Sequence, residues 1–238
     1  MNIIGIIPAR MESTRFPGKP MAEILGMPMI GHVYHRCIMS KSLDEVYVAT
    51  CNREIYNYIN SIGGNSVMTS NSHERASDRA SEALIKIEKS LNKKFDIVVM
   101  LQGDEPMTTP EMVDVAVEPL ISDPNIVVTN LMSRINTREE CKDPNEIKVV
   151  IDENKYALYF SREAIPSNKK YKNEINSYKQ VCVIPFKRDF LIKYNQLTPT
   201  PLEIIESIDM NRILEHGYKV KMVEIKEDTL AVDTKVDL

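Results

Sequence analysis

The sequence has no excess of positive charge: 30 Lys and Arg stand against 34 Asp and Glu, a net charge of −4. A basic field able to hold nucleic acid or anionic lipid is therefore lacking. No apolar run approaches the roughly 20 residues that a membrane span needs. The N-terminal apolar run, Ile3–Pro8, is too short for a signal peptide and is followed by Ala9 and Arg10. The four cysteines (Cys37, Cys51, Cys141, Cys182) form no CxxC and have no His at metal-ligand spacing. Reduced thiols in a cytoplasmic protein are expected rather than a disulfide or zinc framework. Repeats and low-complexity tracts are missing, as are GxGxxG and GxxxxGK[ST], so neither phosphate-binding fingerprint applies.

What is present can build a sizeable core. The 238 residues are 43% apolar and 27% charged, ordinary values for a globular domain. Short apolar runs alternate with segments of helical period. Strands are expected at 3–7, 45–50, 66–68, 96–101, 126–131, 147–151, 180–186 and 219–225. Helices are expected at 29–40, 54–62, 75–91, 110–122, 187–194 and 203–217. The first four strands are uniformly apolar and spaced as βαβ units, which predicts a mostly parallel sheet covered on both faces. The fold class is α/β: one domain, 1–238, with a small β-rich subdomain in the C-terminal third. Within it, about 156–186 reads as a hairpin-like insertion around a Lys- and Asn-rich loop.

Three segments carry chemistry. "PARMESTRFPGKP" (Pro8–Pro20) follows the first strand and holds Arg10, Arg15 and Lys19. Ser13, Thr14 and Gly18 can turn backbone N–H groups to one point, an anion-binding nest. Two forked guanidiniums and a lysine suit a triphosphate better than a single phosphate. "LQGDEP" places Asp104 and Glu105 just past a buried strand, where ligands gather in open α/β sheets. Magnesium takes one or two carboxylates beside waters and phosphate oxygens, which suits Asp104. Asp233, in the C-terminal "AVDTKVDL", is read equally as a helix cap or as the second carboxylate of that site. Among the histidines, His32, His35 and His216 suit packing or capping, and only His73 lies in a loop near these segments.

In order and spacing these segments, with "VYVAT", "VMTS", "KVVIDENKYALYFSREAIP" and "PTPLEIIESIDMNRILEHGYKV", resemble the 3-deoxy-manno-octulosonate cytidylyltransferases. The resemblance runs from Ile3 to Leu238. It implies a nucleotidyltransferase-like fold, CTP as donor, Mg²⁺ as cofactor and a homodimer. The reaction implied joins CMP to the anomeric hydroxyl of a 3-deoxy-octulosonate-type sugar acid, as in lipopolysaccharide biosynthesis, and releases pyrophosphate. It also implies roles: Arg10, Lys19, Asp104 and Asp233 in catalysis, with Asp104 and Asp233 on the metal. CTP would meet Pro8, Ala9, Arg10, Ser13, Arg15, Lys19, Ser70 and Asp78. The sugar acid would meet Arg79, Gln102, Gln180, Glu203 and Glu206.

Departures from the family pattern fall on the acceptor side. Where the family reads H-x-S-G-T-[DE]-R, this chain has "HERASDR", with Ala76 for Gly and Ser77 for Thr. Where a contacting His, a Gly and a Tyr are usual, it has Gln180, Cys182 and Ile184, after a shortened loop. A changed acceptor is therefore expected to be possible: an 8-amino octulosonate, a sialic-type acid or a phosphonate. A CTP-binding protein without transfer activity is the alternative from another class. Relatives often continue for a helical turn or more past the position of Leu238.

Overall fold

The computed structural model describes residues 1–12, 16–167, 177–227, 231–232 and 234–238. The strands are β1 (Ile3–Ala9), β2 (Glu23–Ile24), β3 (Met27–Pro28), β4 (Glu45–Thr50), β5 (Ser66–Met68) and β6 (Ile97–Leu101). They continue with β7 (Thr129–Arg134), β8 (Lys148–Ile151), β9 (Ala157–Ser161), β10 (Tyr178–Val181), β11 (Val183–Lys187) and β12 (Lys221–Ile225). The helices are α1 (Met29–Cys37), α2 (Arg53–Ser61), α3 (Ala76–Leu91), α4 (Pro110–Ser122), α5 (Arg138–Lys142), α6 (Arg188–Tyr194), α7 (Pro201–Glu206) and α8 (Asp209–Glu215).

The first sheet has the order β11-β6-β1-β4-β5. β1 pairs in parallel with β4 and with β6, and β4 with β5; only β11 runs antiparallel. Alternate β1 residues face opposite layers. Ile4 and Ile6 join Ala80, Ala83 and Leu84 of α3, whereas Ile3 and Ile7 join residues of α1 and α4. That double cover is why β1 and β6 are apolar throughout. β4 and β5 leave β1 on one side and β6 lies on the other, so the order reverses between β1 and β6. A crevice opens at such a reversal, beyond the carboxyl ends of the strands.

The second sheet, β12-β7-β10-β8-β9, is antiparallel except for the β12–β7 pair. It corrects three expectations. Its first strand is β7, so the β-rich unit begins near Thr129, well before 156. The strands flanking the Lys-rich loop form no hairpin, because β8 lies between β10 and β9; residues 168–176 of that loop lie outside the described residues. The strand expected at 180–186 is two strands, one in each sheet, and Cys182 is the single residue between them. Periodicity does not reveal this crossing, since the apolar run from Val181 to Phe186 continues across it with only Cys182 between the strands.

The helix expected over 203–217 is also two helices. Ser207 takes a left-handed φ of 54° and ends α7, and Asp209 begins α8. Among the described residues no helix is long and apolar enough to cross a membrane.

Candidate active site

Two cavities meet at the carboxyl end of β6. The first, about 370 Å³, lies in the crevice between β1 and β6. Pro8, Ala9 and Arg10 enter it from β1, and Gln102, Gly103 and Asp104 from β6. Gly103 permits this approach: a Cβ there would stand 3.3 Å from the Pro8 carbonyl and 3.2 Å from Ile30. Lys19 reaches the same cavity from the opening loop, which closes on itself through Gly18 N–H donating to the Met11 carbonyl at 3.0 Å. Gly18 adopts φ 76°, a left-handed value that glycine takes without strain.

Lys19 is buried, yet its Nζ donates to Asp104 Oδ2 at 2.6 Å. The Asp104 carbonyl accepts from Val232 N–H at 2.9 Å, and Val232 packs with Phe16 and Met29. The opening loop and the C-terminal segment thus clasp the end of β6. Ser13, Arg15 and Asp233, expected here, lie outside the described residues.

On the far wall stand His73, Arg75 and Arg79, from the loop before α3 and its first turn. Arg79 is buried and donates to Thr69 Oγ1 at 2.6 Å and to the Ser70 carbonyl at 3.1 Å. Arg10 donates to the His73 carbonyl at 3.4 Å. His73 binds Glu82, whose carboxyl sits at about 2: burial raises it, but Lys86, the Ser70 N–H and His73 lower it further.

The second cavity, about 180 Å³, shares Gln102 and Asp104 with the first. Gln180, Cys182, Glu105, Glu146 and Arg162 complete its polar lining with Asn145. Arg162 is tied down by backbone carbonyls: Nε to Glu206 at 2.7 Å, Nη1 to Pro144 at 2.8 Å and Nη2 to Ser207 at 3.3 Å. Lys148, wholly buried, draws the same loops together by donating to the carbonyls of Asp143 and Arg162. Glu105 Oε1 accepts from Cys182 N–H at 3.2 Å, at the crossing between the sheets. Its Oε2 is buried and has no hydrogen-bond partner among the described residues. Burial, then the neighbouring Asp104, pushes the Glu105 carboxyl up to about 7.

Several expected residues stand elsewhere. Arg79, expected near the sugar acid, lines the first cavity and not the second. Ser70 and Asp78 line neither cavity; Ser70 is an exposed turn residue whose Oγ meets Ser72. Glu203 is fully buried, gripped by both Arg212 nitrogens at 2.6 and 2.7 Å and by Arg75 at 2.5 Å. No oxygen of it is left for a ligand. Glu206 stands behind the second cavity, accepting from Tyr159 at 2.7 Å, Ser161 at 2.8 Å and the Arg162 N–H at 2.9 Å. Ile184 faces the core on β11 rather than the cavity, so of the three departures on that segment only Gln180 and Cys182 touch the site.

Sequence reasoning missed Arg162 and Arg75. The signal for Arg162 was available, a cation closing the apolar strand "ALYF". Arg75 gave none, because only the fold brings it beside Glu203 and Asp209. Among the described residues no group of three or more His, Cys, Asp or Glu could hold a metal ion.

A parallel-rich sheet with a basic crevice at its switch point, joined to a second polar cavity, defines a nucleotidyltransferase-type α/β protein. A glucose-1-phosphate thymidylyltransferase from Bacillus anthracis shares this fold, with a TM-score of 0.68, at 15% identity over 99% of this chain and 92% of that one. Residues 4–225 match the cytidylyltransferase family. The 3-deoxy-manno-octulosonate cytidylyltransferase of Geotalea uraniireducens (strain Rf4) is 40% identical over 248 residues, covering 100% of this chain and 96% of the relative. That of Fusobacterium nucleatum is 40% identical over 238 residues, with 100% and 94% covered. A CMP:2-keto-3-deoxy-manno-octonic acid synthetase complexed with CTP superposes with a TM-score of 0.91 at 34% identity, covering 99% of this chain and 95% of that one. The chain belongs to the 3-deoxy-manno-octulosonate cytidylyltransferase family of nucleotidyltransferases.

Proposed function

We propose that this enzyme transfers CMP from CTP to the anomeric hydroxyl of a 3-deoxy-octulosonate-type sugar acid. The observation that carries the reading is the meeting of a basic and a mixed-charge cavity at Gln102 and Asp104. The first cavity takes CTP, its phosphates near Arg10 and Lys19, with Arg15 as a further cation of the same loop. The second takes the acid, with its carboxylate toward Arg162. The anomeric oxygen attacks the α-phosphorus in line, its O–H proton is released, and the bond to the β-phosphate oxygen breaks to free pyrophosphate. The cations meet the charge that grows on the leaving group, and two adjoining cavities supply the alignment.

Magnesium fits this site. Asp104 Oδ2 is held by Lys19, while Oδ1 meets no protein donor among the described residues. A hard cation accepts one or two carboxylates and completes its shell with water and phosphate oxygens. Asp104 would hold it, with Asp233 as second carboxylate; the Val232–Asp104 hydrogen bond supports that pairing. Bound there, the ion would polarise phosphate oxygens and lower the pKa of a ligated hydroxyl.

Four free cysteines and a CTP-dependent reaction support a cytoplasmic location. Exposed Leu158 on β9 and Ile204 and Ile205 on α7, at 61, 63 and 77%, support a homodimer.

The decisive experiment measures pyrophosphate release from CTP and magnesium with a panel of 3-deoxy-ulosonic acids, sialic-type acids and phosphonates. Release with an octulosonate and with none of the other classes is expected. Release only with another class would favour the second reading, which Gln180 and Cys182 motivate; release with none would overturn both.

A further inference from the structure

Asn130 on β7 is wholly buried, and both hydrogens of its amide have destinations. Its Nδ2 donates to the Leu131 carbonyl at 2.9 Å and to the Val181 carbonyl at 2.7 Å. An amide nitrogen has two hydrogens, so none remains. Turning the amide over would set its oxygen against two carbonyl oxygens and lose both hydrogen bonds in the core. Oδ1 is thus the only atom of Asn130 that can meet Gln180, and an oxygen there can only accept.

Gln180 answers with Nε2, which donates to Asn130 Oδ1. Its backbone is also held, N–H to the Ile147 carbonyl at 2.7 Å. The sense of a glutamine amide is usually ambiguous, but here two backbone carbonyls decide it through Asn130. What remains is Gln180 Oε1, which meets no protein donor among the described residues, on a side chain that lines the second cavity.

We propose that Asn130 is a positioning residue that locks Gln180 with its carbonyl oxygen toward the acceptor, so that this wall requires a hydrogen-bond donor on the acid. The donor is a hydroxyl or an ammonium; an ether, keto or carboxylate oxygen placed there meets oxygen with oxygen. The inference rests on reading the second cavity as the acceptor site and names one feature of its specificity. The surroundings agree with it. Asp104, Glu105 and Glu146 line the same cavity as Gln180, and Arg162 is its only guanidinium among the described residues. An acid with its carboxylate at Arg162 and donors elsewhere matches that distribution.

The test compares kcat/KM for the preferred acid with analogues carrying hydrogen or fluorine in place of single hydroxyls. Fluorine keeps polarity but cannot donate. The native enzyme should show one position where both replacements cost about 100-fold, since a site built to pair with a hydroxyl rejects its absence. In Gln180→Leu and in Asn130→Leu that penalty should shrink to within tenfold of unity, with the KM for CTP unchanged. If Asn130→Leu does not fold, Asn130→Ser serves, because its hydroxyl both donates and accepts and so fixes no sense. Discrimination kept in a folded Asn130 variant but lost in Gln180→Leu overturns the positioning role. A native enzyme that transfers CMP equally to the parent and all fluoro analogues overturns the inference alone. Transfer to no acid at all overturns it together with the transferase reading.

Discussion

Lys19 and Asp104 form an ion pair of 2.6 Å across 85 positions of sequence, and it joins the opening loop to the end of β6. The lysine side chain is 11% exposed and the aspartate 28%, so the pair is screened from bulk water but open to the crevice. A cation held this way is oriented before a nucleotide arrives.

Losing either partner should cost turnover and not the fold. Lys19→Met and Asp104→Asn should each lower kcat/KM by about 10²- to 10³-fold, the usual loss for a preorganised electrostatic contact. Steady-state pyrophosphate assays, with circular dichroism to confirm folding, check this. Near-normal activity in Asp104→Asn would remove Asp104 from the metal assignment.

Glu105 should make stability fall as pH rises. Its carboxyl is raised from 4.5 to about 7 by burial and by Asp104. The neutral form therefore favours the folded state below pH 4.5, and that contribution is lost as pH climbs through about 7. The difference is on the order of 3 kcal/mol. Thermal melts in EDTA from pH 5 to 8 should show the decline, and Glu105→Gln should flatten it.

Glu203 should behave as a structural residue. Glu203→Gln weakens its contacts with Arg212 and Arg75 and leaves buried guanidinium charge uncompensated, a loss of about 3–5 kcal/mol. A lower denaturation midpoint is expected, with the KM for the acid nearly unchanged at temperatures where the variant is folded. A large KM effect at unchanged stability would instead place Glu203 against the substrate.

Arg162→Met should raise the KM for the acid at least about tenfold, the scale of a lost charge-assisted hydrogen bond. The KM for CTP should stay within a factor of two, because Arg162 borders only the second cavity. Arg162→Lys should not rescue it, since an ammonium cannot reproduce three donations to the carbonyls of Pro144, Glu206 and Ser207. Parallel saturation curves for the two substrates measure the split.

The first cavity was legible because its signals are local. A buried strand, a cationic glycine-bearing loop and a carboxylate after a second buried strand each lie within a few residues. The second cavity was not. Gln180 and Ile184 fall at the same parity of one expected strand, and only the change of sheet at Cys182 sends one to the cavity and the other to the core. Resemblance alone places Arg79 and Glu203 beside the acid; in the fold the first turn of α3 sets Arg79 in the first cavity, and two arginines enclose Glu203.

By itself the sequence determined the layered α/β class, the cationic loop that follows the first strand and the family to which the chain belongs. These follow from hydrophobic period, glycine placement and clustered charge, which act over short stretches of chain. Tertiary structure alone decided which carboxylates are open and which are locked, where Arg75 and Arg162 stand, and which way the Gln180 amide faces. Many of those outcomes depend on partners far apart in sequence, such as Arg162 with Glu206 at 44 positions and Arg75 with Asp209 at 134, and a hydrogen bond is set by what folding brings within reach.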